Sequence, residues 1–151
     1  MKLIIGADHA GAALGIRLEH WLSKSGHDVT RLGPDSDEPK VNYVPICIEA
    51  AERVASGEFE RGIVIGGSGQ GEQIAANKVR GVRAALCNSV YLARLAALYN
   101  DANVLGLGAR IVAPELAEDI VHEWLTSDFV GGRHEDRLSS ISEYELERDQ
   151  L

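Results

Sequence analysis

Residues 62–73 read G-I-V-I-G-G-S-G-Q-G-E-Q, an apolar run that breaks into a glycine-rich stretch and resumes as a polar–apolar pattern. The run predicts a buried strand over 62–65, and Gln73 to Lys78 predicts a short helix. Four of the six residues 66–71 are glycine. Between a strand and a helix, such a loop can turn its backbone N–H groups toward an anion at the helix start. A plain tight turn is the competing reading. The dinucleotide fingerprint is excluded, because glycines at 67 and 69 would need a third at 72, which is Glu72. A P-loop is excluded too, since no Lys-Ser/Thr follows Gly71.

Outward from this unit, strands and helices alternate. Strands are expected at 2–6, 28–32, 82–87 and 104–107. Helices are expected at 12–24, 43–55, 89–99 and 114–125, with a charged one at about 133–148. Leu14, Leu18, Trp21 and Leu22 mark the apolar face of the first helix, and Leu116, Ile120, Val121, Trp124 and Leu125 that of the helix at 114–125. Residues 33–42 are polar, contain Pro34 and Pro39, and read as a loop. Strands that are apolar on both faces call for a five-stranded parallel sheet between helical layers. The expectation is a three-layer, Rossmann-like α/β/α sandwich with a C-terminal helix, forming one domain over 1–151. Ligands of such sheets bind beyond the carboxyl ends of the strands.

Composition narrows the function. A net charge of −8 argues against nucleic-acid or anionic-membrane binding. No stretch approaches the roughly 20 apolar residues of a membrane span. Cys47 and Cys87 show no paired spacing, so a reducing, cytoplasmic setting is expected. The five histidines show no metal-ligand spacing.

Several residues near the strand ends could carry chemistry. Glu72 can be a helix-start carboxylate or a general base beside amides that would hold an enolate oxygen. Asp8-His9 can be a helix cap or a ligand contact. Arg110 follows the fifth strand, and Arg133 and Arg137 lie one helical turn apart with His134 between them. The arginines form either a solvated face balanced by Glu135 and Asp136 or a phosphate clamp.

GADHAG at 6–11, GGSGQGEQIAANK at 66–78, GVRAAL at 81–86, NDANVL at 100–105 and GGRHEDR at 131–137 together resemble the type B ribose-5-phosphate isomerases, which share a family with galactose-6-phosphate isomerase subunits. The resemblance implies aldose–ketose isomerisation of a sugar phosphate, with no metal or organic cofactor. It implies that Asp8, His9 and Tyr43 line the sugar site and that Ser68 with the amides of Gly67, Gly69 and Gly71 holds the enediolate. Asn100 would contact the hydroxyls. His9 and Arg110 would bind the phosphate, with Arg133 and Arg137 reaching over from a second subunit. A homodimer follows, with pairing of dimers left open, and its C-terminal helix would pack on the partner. One branch of the family carries a cysteine base where this chain has Gly66. The other uses the glutamate after the glycine loop, here Glu72.

Two departures stand out. The family's Tyr-Pro is Tyr43-Val44, and the histidine that opens the furanose ring is Tyr99. Tyr99 also continues the stripe Leu92, Leu95 and Ala96, which allows a core tyrosine instead. Substrate choice therefore stays open between ribose 5-phosphate and a four-carbon sugar phosphate such as erythrulose phosphate. A nucleotide-sensing binding module is the non-enzymatic alternative.

Overall fold

The computed structural model describes residues 1–149. In chain order its elements are β1 (Lys2–Ala7), α1 (Ala12–Lys24), β2 (Asp28–Leu32), α2 (Tyr43–Ala55), β3 (Arg61–Gly66) and α3 (Gln70–Ala76). There follow β4 (Ala84–Leu86), α4 (Val90–Asn100), β5 (Val104–Gly108), α5 (Pro114–Thr126) and α6 (Arg133–Arg148). The strands form one parallel sheet in the order β2-β1-β3-β5-β4. This is the expected α/β architecture.

Side-chain alternation along the strands builds two cores. Leu3, Ile5, Ile63, Ile65, Leu105 and Leu107 pack with α1, α4 and α5 on one face. Ile4, Val64 and Val104 pack with α2 and α3 on the other. Each fully buried Leu or Ile contributes about 2 kcal/mol. Trp124 fills the first core with its indole N–H donating to the Ala102 carbonyl at 2.9 Å. Helix starts follow their capping chemistry: Asn42 Oδ1 accepts from the Val44 amide, and Ser89 Oγ from the Leu92 amide.

Some boundaries differ from expectation. α3 begins at Gln70 instead of 73, because Gly69 adopts a left-handed conformation (φ 77°) and caps the helix directly. β4 is only three residues long, an edge strand whose pairing with β5 covers Ala84 to Leu86. Leu116 lies on the outer side of α5, and Ala117 takes its place in the core. α6 buries no residue at all. No described helix is long and apolar enough to cross a membrane.

The chain winds from β1 outward to β2, then back across to β3. This reversal opens a crevice beyond the carboxyl ends of β1 and β3, where ligands of open α/β sheets bind.

Candidate active site

β1 delivers Asp8 to that crevice and β3 delivers Gly66. The two segments are stitched by the Asp8 amide, which donates to the Ile65 carbonyl at 3.1 Å. Asp8 is buried, and its Oδ1 accepts from the Gly11 amide at 3.0 Å. It thus fixes the turn that leads into α1 while standing at the crevice.

The glycine loop is held from the other side by the turn after β5. The Ala109 amide donates to the Gly66 carbonyl at 2.8 Å and the Arg110 amide to the Gly67 carbonyl at 3.0 Å. The contact is too close for a side chain: a β-carbon on Gly108 would stand 2.7 Å from the Ser68 carbonyl oxygen. Ser68 itself is exposed, and its Oγ accepts from the Gln70 amide at 3.3 Å.

Glu72, in the first turn of α3, is only 4% exposed. Its carboxylate folds back over the loop, so that a β-carbon on Gly66 would lie 1.8 Å from Oε1. Burial pushes the Glu72 carboxyl above the ordinary carboxylate range. The nearby negative charge of Asp8 adds to this, while the backbone amides of Glu72 and Gly69 oppose it. A carboxylate with raised proton affinity beside convergent amides is a suitable group for removing a proton next to a carbonyl.

Tyr43, the first residue of α2, lays its ring over Gly71: a β-carbon there would meet the phenol oxygen at 2.6 Å. The shape of this wall therefore depends on Gly71 having no side chain. His9 Nδ1 accepts from the Val41 amide at 3.2 Å, which leaves Nε2 as the N–H donor of the neutral ring. Arg110 runs beside Gly67, with Nη1 3.0 Å from where a β-carbon would be. His9 and Arg110 line one cleft with Asp35, Ser36 and Asp37. Among the described residues Arg110, Arg133 and Arg137 have no carboxylate partner, whereas Arg17, Arg31 and Arg53 do.

The remaining candidates are elsewhere. Tyr99 and Asn100 end α4, just before β5, and so lie at the amino ends of the strands, across the sheet from Glu72. Arg83, one residue before β4, fixes this corner. Its Nε donates to the Asp101 carbonyl at 2.9 Å, and its Nη2 pairs with the Asp101 carboxylate at 2.8 Å. Tyr99 is 40% exposed, which overturns the core-tyrosine reading. The buried face of α4 is Ala93, Ala96 and Ala97, so of the stripe only Ala96 is buried, while Leu92 and Tyr99 are exposed. Arg133 and Arg137 begin α6 at this same corner, where His134 stacks on Tyr99 with ring centroids 4.6 Å apart. One chain therefore assembles Asp8, His9, Tyr43, the glycine loop, Glu72 and Arg110. It leaves Tyr99, Asn100, Arg133 and Arg137 apart from them.

Both cysteines are buried, and burial pushes each thiol up to about 12, so neither is a thiolate near neutral pH. Two features escape the sequence reading: the volume shared by Gly66 and Glu72, and the stacking partner of Tyr99. Only the second left a trace there, as the histidine inside GGRHEDR.

The model of the ribose/galactose isomerase family matches residues 3–141. Ribose-5-phosphate isomerase B of Escherichia coli is 40% identical over 98% of this chain and 99% of its own length. The D-erythrulose-4-phosphate isomerase of Pectobacterium atrosepticum is 37% identical, with 96% and 95% covered. Among solved structures, ribose-5-phosphate isomerase B of Clostridium thermocellum superposes with a TM-score of 0.95 at 47% identity, covering 98% of this chain and 99% of that one.

Proposed function

The chain belongs to the ribose/galactose isomerase family, and from that premise we propose that it interconverts ribose 5-phosphate and ribulose 5-phosphate. The observation that carries the mechanism is the buried Glu72 carboxylate lying against Gly66 beside the glycine loop. Glu72 takes the proton from C2 of the open aldose and returns it to C1, while the O2 hydroxyl proton passes to O1, so that C2 becomes the carbonyl and C1 the CH2OH group. Between these steps Ser68 and the amides of Gly67, Gly69 and Gly71 hold the enediolate oxygens. Asp8, His9, Tyr43 and Asn100 orient the sugar, and His9 with Arg110 takes the phosphate.

Residues 1–151 act as one isomerase domain of a cytoplasmic homodimer that needs no cofactor. Arg133, Arg137, Tyr99 and Asn100 serve the site of the partner, and α6 packs on that subunit. This reading is supported by the separation of the two residue groups within one chain and by the absence of any buried residue in α6.

A second reading, the same chemistry on a four-carbon ketose phosphate, draws on Tyr99 and on the similarity to the erythrulose-phosphate enzyme. A panel of four-, five- and six-carbon sugar phosphates, assayed with the parent and with Glu72→Gln, tests both. Removing a general base costs about 10²–10⁴-fold. Turnover by Glu72→Gln within about threefold of the parent would remove Glu72 from the mechanism. Binding of ATP without turnover of any sugar phosphate would favour a nucleotide-sensing module.

A further inference from the structure

His134, at the corner of α4 and α6, has no role in the mechanism so far. His134 stacks on Tyr99 at 4.6 Å with 21° between the planes. It sits in the first turn of α6 between Arg133 and Arg137, two guanidinium groups with no carboxylate partner among the described residues. The two ring nitrogens of His134 make no hydrogen bond among the described residues. Its imidazole is therefore oriented by the tyrosine face and left free to bind something outside its own chain.

We propose that His134 is a catalytic residue in the partner's site, where it moves the proton that opens the furanose ring of an aldopentose phosphate, with Tyr99 as the platform that holds its imidazole. The inference rests on the isomerase reading and the shared site above. An aldopentose 5-phosphate closes through O4 onto C1, because O5 carries the phosphate. Opening requires the proton of the C1 hydroxyl to leave as the C1–O4 bond breaks, C1 becomes a carbonyl and O4 gains a proton. His134 accepts the first proton and returns one to O4, so it ends unchanged and no other reactant is consumed. Partial burial and the two flanking arginines lower the proton affinity of His134. The neutral imidazole needed to accept that proton is thus the resident form at neutral pH. Glu72 cannot serve both steps, because it must remain a free carboxylate for the carbon-bound proton.

The corresponding ketopentose 5-phosphate cannot close a five-membered ring, since the required O5 is esterified, and it reaches the enzyme open. Its C1 proton can therefore exchange with solvent through the enediolate without any ring step, whereas net interconversion with the ring form of ribose 5-phosphate requires one. The test compares His134→Phe, which keeps an aromatic ring on Tyr99, with the parent by two readouts: net kcat/KM, which the equilibrium constant ties to one factor in both directions, and deuterium uptake at C1 of ribulose 5-phosphate in heavy water. The expected result is a fall of about tenfold or more in net kcat/KM, with C1 exchange within about threefold of the parent. Retained exchange also reports that the variant folds. His134→Asn, which is smaller and does not stack, should show the same split with an added loss in both readouts. Equal losses in the two readouts for His134→Phe would make His134 a packing residue and overturn the proposal. So would an unchanged rate with ribose 5-phosphate, or a parent that does not use ribose 5-phosphate. Failure of the isomerase reading would show separately, as a parent inert on ribulose 5-phosphate as well.

Discussion

Gly66 and Glu72 compete for one volume: a β-carbon on Gly66 would stand 1.8 Å from Oε1 and 2.2 Å from Cδ of the Glu72 side chain. A side chain at the end of β3 and a carboxylate folded over that strand end are therefore alternatives. The substitution Gly66→Ala tests this. The methyl group must push the carboxylate away from the loop, and a misplacement of about 1 Å can cost about 10²-fold in rate. We expect kcat to fall by about that factor while substrate binding is largely kept, as read by steady-state kinetics and titration. An alanine variant as active as the parent would mean that the carboxylate works from another position.

Glu72 should also destabilise the fold at neutral pH. Its carboxyl is held above the ordinary range, chiefly by burial. For a raised pKa, the contribution to stability is fully present below the unfolded-state value and is lost as pH rises through the folded-state value. Glu72→Gln removes that loss. The variant should melt at a higher temperature than the parent at pH 7, and the gap should narrow as pH falls into the carboxylate range. Thermal melts across this range check the sign. A glutamine variant less stable than the parent at pH 7 would contradict it.

How far the fold could be read from sequence depended on what kind of signal each element carried. α1, β2 and α2 lie over the residues their patterns predict, because an apolar period of 3.6 or 2 bounded by Gly, Asn or Pro leaves little choice. α3 starts earlier than its pattern, since Gln70 and Gly71 look like loop and only the positive φ of Gly69 makes them helical. Tyr99 misleads for another reason. Its stripe of large residues looked like the buried face, but close packing of α4 on the sheet selects Ala93, Ala96 and Ala97. In the site, the glycine loop and Glu72 were legible as one local string. The overlap of Glu72 with Gly66 depends on a side-chain fold-back, and the division of the candidates between two edges of the sheet depends on topology. Neither is written in local spacing.

That division makes a further prediction. If Arg137 serves the partner's site, Glu72→Ala and Arg137→Ala chains should each be weak alone and should complement when mixed. In a mixed dimer, one site receives both substitutions and the other receives neither. After statistical exchange half of the dimers are mixed, so activity should recover to about a quarter of the parent level. Activity that stays at the level of the single variants, once exchange is verified by mass, would assign Arg137 to its own chain's site.

Substrate choice is expected to depend on Tyr99. It is exposed beside Asn100 at the end of α4, and a phenol is less suited than an imidazole to proton transfer at neutral pH. By resemblance to the type B isomerases, a histidine would stand at this position and open the ring directly. Erythrulose 4-phosphate has no hydroxyl oxygen that could close a five-membered ring onto its C2 carbonyl, so it arrives open and asks nothing of residue 99. The parent should therefore isomerise this tetrulose phosphate at an appreciable rate. Tyr99→His should raise kcat/KM for ribose 5-phosphate by more than it changes that for erythrulose 4-phosphate. In the His134→Phe background the same substitution should recover much of the lost ribose 5-phosphate rate, since an imidazole is then restored on the neighbouring ring position. The measurement is the ratio of the two kcat/KM values in the parent, the two single variants and the double variant. A parent with strong preference for ribose 5-phosphate, and a ratio unmoved by Tyr99→His, would mean that residue 99 serves only as the platform for His134 and does not set substrate choice.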